Sequence, residues 1–140
     1  GGESSGGLAV RGHIAGKDGI YAAALLVEML AVTGKSVSQL YREITDKYGM
    51  LYYEDAAFTM TQARKAELQE KLFVKLEVPD FGNAVEKINR TDGCKVYFTD
   101  GSWVICRFSG TEPLLRMAAE GESQSQARTY IRIWREALGL

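Results

Sequence analysis

Ten residues near the carboxyl end of the chain combine the groups that can bind a phosphate dianion. Residues 107–116 read Arg-Phe-Ser-Gly-Thr-Glu-Pro-Leu-Leu-Arg, and we call them the phosphate loop. The arginine at each end offers a planar fork of N–H donors, the two hydroxyls add donors, and the glycine lets backbone N–H groups turn toward an anion. The alternative is a polar turn between strands with two exposed arginines. We favour the phosphate site, whose candidate ligands are Arg107, Ser109, Gly110, Thr111 and Arg116.

A second polar segment stands at the amino end, where residues 2–7 read Gly-Glu-Ser-Ser-Gly-Gly. The Glu3 carboxylate and the Ser5 hydroxyl are two residues apart, and such a pair can hydrogen-bond neighbouring hydroxyls of a sugar. The glycines would let the backbone approach a sugar ring closely. Composition alone fits a flexible Gly/Ser-rich tail better.

Both segments resemble motifs of the α-D-phosphohexomutases, which are the phosphoglucomutase and phosphomannomutase enzymes. The phosphate loop resembles the phosphate-binding loop of the family's fourth domain. Residues 2–7 resemble the sugar-binding Gly-Glu-x-Ser-Gly loop of the third domain, and the two motifs occur in the family's order. Some members carry a histidine just after the Ser-Gly pair, where this chain has Gly7, so any contact from that side chain is missing here.

The resemblance implies that the chain has two parts. Residues 1–58 would be the carboxyl-terminal part of the third, α/β domain, and residues 59–140 would be the whole fourth domain. Family members are four-domain enzymes, and nothing in this sequence resembles the phosphoserine loop of the first domain or the acidic metal loop of the second. We therefore expect a fragment that carries half of a binding site and none of the catalytic residues.

The resemblance also implies a reaction. In the family, a phosphoserine donates its phosphoryl group to a hexose phosphate with the help of Mg²⁺, and the resulting hexose 1,6-bisphosphate reorients before one phosphate returns to the serine. The parent would be an intramolecular phosphotransferase, an isomerase that interconverts hexose 1-phosphate and hexose 6-phosphate. This chain would bind the non-reacting phosphate and the sugar hydroxyls. Its partners would be the hexose phosphate and the parent's other domains, and alone it should be inactive.

Three further polar residues follow the sugar-binding motif, namely Arg11, His13 and Lys17. His13 is the only histidine of the chain, and a lone histidine more often makes a structural hydrogen bond than takes part in catalysis. Its place between two cations leaves a substrate-facing role open for all three residues. Lys17 fits a solvated side chain equally well.

Other charged residues are predicted to have no part in binding. The Glu112 carboxylate would repel a phosphate dianion, so we expect it to pair with a loop arginine or to face solvent. Arg64 and Lys65 fall in a segment of mixed charge that also contains Glu67. That pattern is typical of a solvated helix face.

Composition excludes several classes of partner. The chain has 17 basic and 18 acidic residues and no basic stripe, so no nucleic-acid partner is expected. The longest apolar run, 20–32, is interrupted by Glu28 and is too short to cross a bilayer, so no membrane partner is expected. Cys94 and Cys106 lack the spacing of metal ligands, and no metal site is predicted. We expect a cytoplasmic protein.

Capping and turn residues predict the secondary structure. Helices are expected over 19–33, from Ser36 to Gly49, over 60–72 and after Ser123, and strands over 84–91, 94–99, 102–108 and 113–120. The second part is therefore α+β, an antiparallel four-stranded sheet with two helices on one face, which in the family is a TATA-binding-protein-like domain. The first part is a mostly helical remnant of an α/β domain. Its helices lack a sheet, so they should be mobile, swapped, or packed in a fragment dimer.

The hairpin at Asp100-Gly101 is predicted to have a two-residue loop. Cys94 would then face Arg107 across the strands, and Trp103 and Ile105 would meet the helices. Cys94 and Cys106 would lie on opposite faces of the sheet and stay unpaired.

Two alternatives to the enzyme fragment remain. A non-enzymatic phosphate-binding module would share the phosphate loop but would belong to a parent without serine and metal loops. An interaction module would pair the loop arginines with acidic residues and would gain no stability from phosphate. The preferred sugar also stays open, since the position of Ser4 varies among the branches of the family.

Overall fold

The computed structural model describes residues 1–3, 6–75, 77–110 and 112–140. These residues cluster into two compact units, Gly1–Gly49 and Met50–Leu140. Two of the predicted site residues, Ser5 and Thr111, lie outside the described residues.

The first unit contains two helices with the predicted ends. Helix α1 (Gly19–Thr33) begins after Asp18, whose carboxylate accepts two hydrogen bonds from backbone N–H groups of the first turn. Helix α2 (Val37–Tyr48) begins at the predicted Ser36, which forms a capping box with Gln39. These local hydrogen bonds determine where the helices start, which is why the sequence alone predicted them.

Neither helix of the first unit has a buried residue. Large apolar side chains remain exposed on both, for example Ile20 at 86% and Ile44 at 58%. This agrees with helices that lack a covering sheet, while mobility and dimer formation stay predictions. Within the described residues no single helix is long and apolar enough to cross a membrane. Only α1 and α2 taken together reach that length and composition, and they are bent by 84° at their break.

The second unit is built on a five-stranded antiparallel sheet in the order β1-β5-β4-β3-β2. The strands are β1 (Tyr52–Thr59), β2 (Val85–Asn89), β3 (Cys94–Phe98), β4 (Trp103–Phe108) and β5 (Leu114–Gly121). The helices are α3 (Gln62–Gln69), which a π-helical turn (Glu70–Val74) continues, and α4 (Gln124–Leu138). The α+β class is confirmed, but the sheet has five strands and the predicted count of four is wrong.

The additional strand is β1, which the sequence analysis placed in the first part of the chain. It pairs with β5 from Tyr52 opposite Gly121 to Thr59 opposite Leu114. Its alternate residues are half-buried, as expected for a strand with one covered face. The segment reads Glu-Asp-Ala-Ala at its centre, so its apolar alternation was too weak to assign it to this sheet. Because β1 occupies residues up to Thr59, α3 starts after Thr61 and not after Thr59.

The core lies between one face of the sheet and the helices α3 and α4. Helix α4 buries five side chains, Ala127, Tyr130, Ile131, Trp134 and Leu138. The sheet contributes alternate residues of its three central strands, Cys94, Val96, Phe98, Val104, Cys106, Leu115, Met117 and Ala119. Neither helix of this unit covers the opposite face of the sheet, and we call it the open face.

The β3–β4 hairpin differs from its predicted register by one residue. Cys94 lies opposite Cys106, so the prediction that the cysteines occupy opposite faces is wrong. The loop has three residues, because the Gly101 N–H donates to the Phe98 carbonyl oxygen over 3.0 Å and Gly101 has a φ of 85°. This is the type I turn followed by a left-handed glycine. One extra loop residue turns every side chain of the following strand to the other face.

The shift in register decides which residues share a face with the phosphate loop. Both cysteines are free thiols in the core, and burial raises the pKa of each. Trp103 and Ile105, which were predicted to meet the helices, lie on the open face instead, in line with Arg107.

Candidate phosphate-binding site

The two arginines of the phosphate loop lie side by side on the open face. Arg107 of β4 is the cross-strand partner of Arg116 of β5, and both are exposed. Residues directly opposite in an antiparallel pair have Cβ atoms about 5 Å apart, and like charges at that distance destabilise a sheet. The arrangement is therefore unfavourable for the fold and well suited to an anion that contacts both guanidinium groups.

One carboxylate already contacts this pair. Arg107 Nη1 donates to Asp92 Oδ2 over 2.9 Å. Asp92 precedes Gly93 in the β2–β3 turn, which packs closely against β4. Gly93 has a φ of 99°, and a Cβ added to it would lie 2.7 Å from the Cys106 carbonyl oxygen. The Asp92 side chain is 75% exposed, so the ion pair is weak, roughly 0–1 kcal/mol. A phosphate dianion can compete for Arg107 at small cost.

Backbone hydrogen bonds close the turn between the two arginines. The Ser109 N–H donates to the Leu114 carbonyl oxygen over 2.8 Å, and the Leu114 N–H donates to the Glu112 carbonyl oxygen over 2.8 Å. Ser109 Oγ accepts from the Glu112 N–H over 3.3 Å, which leaves the hydroxyl proton of Ser109 able to donate to an anion. The Glu112 side chain is exposed, so of the two predicted outcomes, pairing with a loop arginine or facing solvent, the structure shows the second.

Gly110 provides open space in the loop. Its φ is not positive, so the backbone conformation does not itself require glycine here. An added Cβ at Gly110 would meet no atom within 4 Å. Space beside the loop is thus available for a ligand that comes close to the backbone.

Sequence reasoning missed Lys65, which contacts the phosphate loop. Its Nζ donates to the Ser109 carbonyl oxygen over 2.8 Å. The prediction that Arg64 and Lys65 are solvated is wrong for both, since Arg64 binds the Leu138 carbonyl oxygen over 2.5 Å. Both contacts join residues far apart in the chain, and no local pattern indicates them.

The open face beside Arg107 carries a further cation and a small cavity. Lys95 Nζ lies 3.7 Å from the centre of the Trp103 ring and 4.8 Å from that of Tyr97. A cavity of about 190 Å³ lies next to it, lined by Asn89, Thr91, Asp92, Lys95 and Ile105. The positive surface of the phosphate loop therefore continues along the sheet.

In the first unit, Glu3 lies beside Lys17. The Glu3 N–H donates to the Gly7 carbonyl oxygen over 2.9 Å, and Lys17 Nζ donates to Glu3 Oε2 over 2.6 Å. An added Cβ at Gly7 would lie 2.5 Å from Lys17 Cδ. The Lys17 side chain is 57% exposed and could move aside for a side chain at position 7, so this contact does not by itself require glycine there.

His13 is placed at the start of α1. Its Nε2 lies 2.8 Å from Asp18 Oδ2, and its ring stacks on Tyr21 at 4.0 Å between centroids. The hydrogen bond with His13 and the backbone N–H groups of Tyr21 and Ile20 lower the pKa of the Asp18 carboxyl. These contacts stabilise the cap of α1. Arg11 is exposed in the preceding turn.

The structure brings four of the predicted phosphate ligands into one loop and places Glu3 next to Lys17 in another. The four are Arg107, Ser109, Gly110 and Arg116. Among the described residues no group of three or more histidine, cysteine or acidic side chains could hold a metal ion. The groups gathered in the phosphate loop are arginines, a hydroxyl and backbone N–H groups, which are donors suited to an anion.

Two family models match the chain. Residues 1–48 match the model of phosphoglucomutase/phosphomannomutase, alpha/beta/alpha domain III, and residues 59–135 match that of the phosphoglucomutase/phosphomannomutase C-terminal domain. The second match lies entirely within the unit that contains the sheet and the phosphate loop.

Individual relatives agree with these matches. A phosphoglucomutase/phosphomannomutase of Thermococcus kodakarensis is 33% identical over 133 residues, which cover 95% of this chain and 27% of the relative. A phosphoglucosamine mutase of Geobacillus thermodenitrificans is 29% identical over 131 residues, which cover 94% of this chain and 25% of the relative.

A solved structure shows the same fold. A crystal structure of a phosphomannomutase candidate from Thermus thermophilus has a TM-score of 0.70 at 24% identity and covers 99% of this chain and 26% of its own. The chain spans about a quarter of the length of these relatives. Its residues match the third and fourth domains in order, and this chain belongs to the phosphoglucomutase/phosphomannomutase family.

Proposed function

We propose that this chain is the part of a phosphohexomutase that binds the non-reacting phosphate of a hexose phosphate and the hydroxyls of its sugar. The observation that carries the proposal is the cross-strand pair of Arg107 and Arg116. Two exposed guanidinium groups flank a short loop with a free hydroxyl donor and open space at Gly110. Such paired, planar donors suit phosphate and carboxylate groups, and phosphate is the anion that a hexose phosphate would present to them.

The proposed role follows from the chemistry of a mutase. Such an enzyme moves a phosphoryl group between two positions of one sugar, so the phosphate that does not react must be bound alike in both orientations. Binding a remote group is a way to orient a reacting centre that lies elsewhere. Arg107, Ser109 and Gly110 would hold that phosphate, with Thr111 completing the set. Arg116 would contact it as well or hold the loop in shape.

The sugar-binding part of the proposal rests on Glu3 and Ser5, with Lys17 as an additional contact. Lys17 orients the Glu3 carboxylate, and its ammonium group is exposed enough to reach a ligand. His13 and Arg11 would face the substrate less directly, since His13 is engaged with Asp18. Glu3 would accept hydrogen bonds from hydroxyls that exchange places as the hexose 1,6-bisphosphate reorients.

The phosphoserine and the Mg²⁺ ligands of the reaction would lie in other domains of the parent. The described residues do not fit a magnesium site, so no step of the chemistry is assigned to this chain. The exposed apolar faces of α1 and α2 would be covered by the sheet of the third domain, which these helices lack here. A dimer of this chain is the other way to cover them.

The test is an amide-shift NMR titration of this chain with glucose 6-phosphate, with glucose as the control. We expect shifts at the phosphate loop with the phosphate and none there with glucose. The variant Arg107→Ala removes a charge-assisted bond worth roughly 1.5–3 kcal/mol and should weaken binding at least tenfold. Equal shifts with glucose, or none at millimolar sugar phosphate, would contradict a phosphate site in this loop.

The rival interaction module is favoured by one observation, the ion pair between Arg107 and Asp92. If the loop arginines serve only to pair with carboxylates, glucose 6-phosphate will not raise the melting temperature of the chain. Specific binding to the folded state would raise it with ligand concentration.

A further inference from the structure

Lys65 holds the turn of the phosphate loop at both sides. Its Nζ donates to the Ser109 carbonyl oxygen over 2.8 Å and lies 3.4 Å from the Glu112 carbonyl oxygen. These two residues flank the segment that contains Gly110. The Lys65 side chain is half-buried, so its ammonium group is held against the loop and is not free in solvent.

Helix stability does not explain why a lysine stands at this position. Lys65 lies in the first turn of α3, where its N–H donates to the carbonyl oxygen of the capping residue Thr61 over 3.0 Å. The positive end of the helix dipole disfavours a cation there. Among the described residues no carboxylate forms a salt bridge with Lys65. The contacts with the two carbonyl oxygens of the loop are the interactions that favour a lysine at this position.

The contact also determines the direction of a backbone donor. In a planar trans peptide the C=O and N–H bonds point in opposite directions. The Ser109 carbonyl oxygen points toward Lys65, so the Gly110 N–H of the same peptide points away from it. Gly110 is exposed, with space around its Cα. An anion on the side of the loop away from Lys65 can accept a hydrogen bond from the Gly110 N–H. The Ser109 and Glu112 carbonyl oxygens, which would repel the anion, point toward Lys65 instead.

We infer that Lys65 is a positioning residue for the phosphate loop. It binds the Ser109 and Glu112 carbonyl oxygens, presents the Gly110 N–H to the phosphate, and adds a positive charge that no neighbouring carboxylate neutralises within the described residues. The inference rests on the proposed function for the identity of the anion. The ordering of the loop by Lys65 does not depend on that identity.

The experiment compares two lysine variants of the 140-residue chain. Lys65→Met removes the contact with the loop. Lys71→Met is the matched control, because Lys71 is also half-buried and donates to a backbone carbonyl oxygen, that of Ala137, over 2.7 Å. Each variant loses one positive charge. Lys65→Met also loses the contacts with two carbonyl oxygens, and Lys71→Met loses one carbonyl bond and the 3.6 Å ion pair with Glu77. The readouts are the ¹H–¹⁵N NOE of the loop amides in phosphate-free buffer and the Kd for glucose 6-phosphate.

Lys65→Met should lower the NOE of the loop amides and raise the Kd about tenfold, while Lys71→Met leaves both near the wild-type values. Lys65→Arg, which keeps the charge and the donors, should recover most of the affinity. An NOE that falls equally in the two methionine variants, or a Kd that Lys65→Met does not change, would overturn the inference. A wild-type chain without measurable affinity would refute the proposed function, and the NOE comparison would still decide whether Lys65 orders the loop.

Discussion

At the scale of single residues, the phosphate loop shows what residue type and spacing can and cannot reveal. Arg107, Ser109 and Arg116 lie within ten residues of one another, and their types alone indicate an anion site. Asp92 and Lys65 contact the same loop but are 15 and 44 residues away from their partners in the chain. No local pattern predicts such contacts, because they depend on how the sheet and α3 fold together.

The ion pair with Asp92 leads to a prediction about affinity. In Asp92→Asn the guanidinium of Arg107 loses a competing carboxylate, and a phosphate dianion loses a repelling one. The pair is exposed, so the gain should be at most about 1 kcal/mol, a Kd for glucose 6-phosphate lower by about two- to fivefold. The gain should shrink at high ionic strength.

The control for this prediction is Asp46→Asn, which makes the same charge change on the exposed surface of α2. It should leave the Kd within error of wild type. Isothermal titration calorimetry at two salt concentrations measures both variants. Weaker binding in Asp92→Asn would mean that Asp92 orients Arg107 for the phosphate and does not compete with it.

At the scale of elements, capping residues predicted the ends of the helices. The number of residues in the β3–β4 loop determined which side chains of the sheet face the core. Side-chain caps such as Asp18 and Ser36 lie beside the helices that they start, so the sequence reveals them directly. The hairpin register depended on whether its loop has two or three residues, and Gly101 fits both. The third loop residue moved Arg107 to the open face beside Arg116, where the pair can meet an anion.

The same hairpin loop predicts a dependence of stability on pH. Burial alone would raise the pKa of the Asp100 carboxyl, but hydrogen bonds from Ser102, Asn83 and Gln126 outweigh it and leave the pKa below its ordinary value. The ionised carboxylate therefore stabilises the folded state above the unfolded pKa of about 4. That stabilisation is lost as the pH falls below it, through the lower pKa of the folded state.

We expect Asp100→Asn to lower the melting temperature at pH 7 and to have a smaller effect at pH 3. Asp55→Asn, an equal charge change on the exposed side of β1, serves as the control. Thermal unfolding followed by circular dichroism between pH 3 and 7 gives the comparison. A difference between wild type and Asp100→Asn that is constant over this range would show that the carboxylate charge does not contribute.

At the scale of the whole molecule, the two units differ in how completely they bury their apolar residues. Every buried core residue that the structure describes belongs to the second unit, whereas α1 and α2 bury none of their side chains. The sequence predicts a division after residue 58, whereas the compact units divide between Gly49 and Met50. The residues in dispute are those of β1, which covers the side of β5 and packs Ala56 and Phe58 against the core.

Two truncated chains test where the stable unit begins. Residues 50–140 keep β1 and should unfold cooperatively, with a melting temperature close to that of the main transition of the full chain. Residues 60–140 lose β1, which leaves the edge of β5 unpaired and removes Ala56 and Phe58 from the core. Uncovering large apolar groups typically costs several kcal/mol, so this chain should melt far lower or fail to fold.

Alkylation of Cys94 and Cys106 offers a second measure, since burial raises the pKa of both thiols and protects them. They should react slowly in 50–140 and quickly in 60–140, and equal protection in the two chains would show that the sheet is complete without β1.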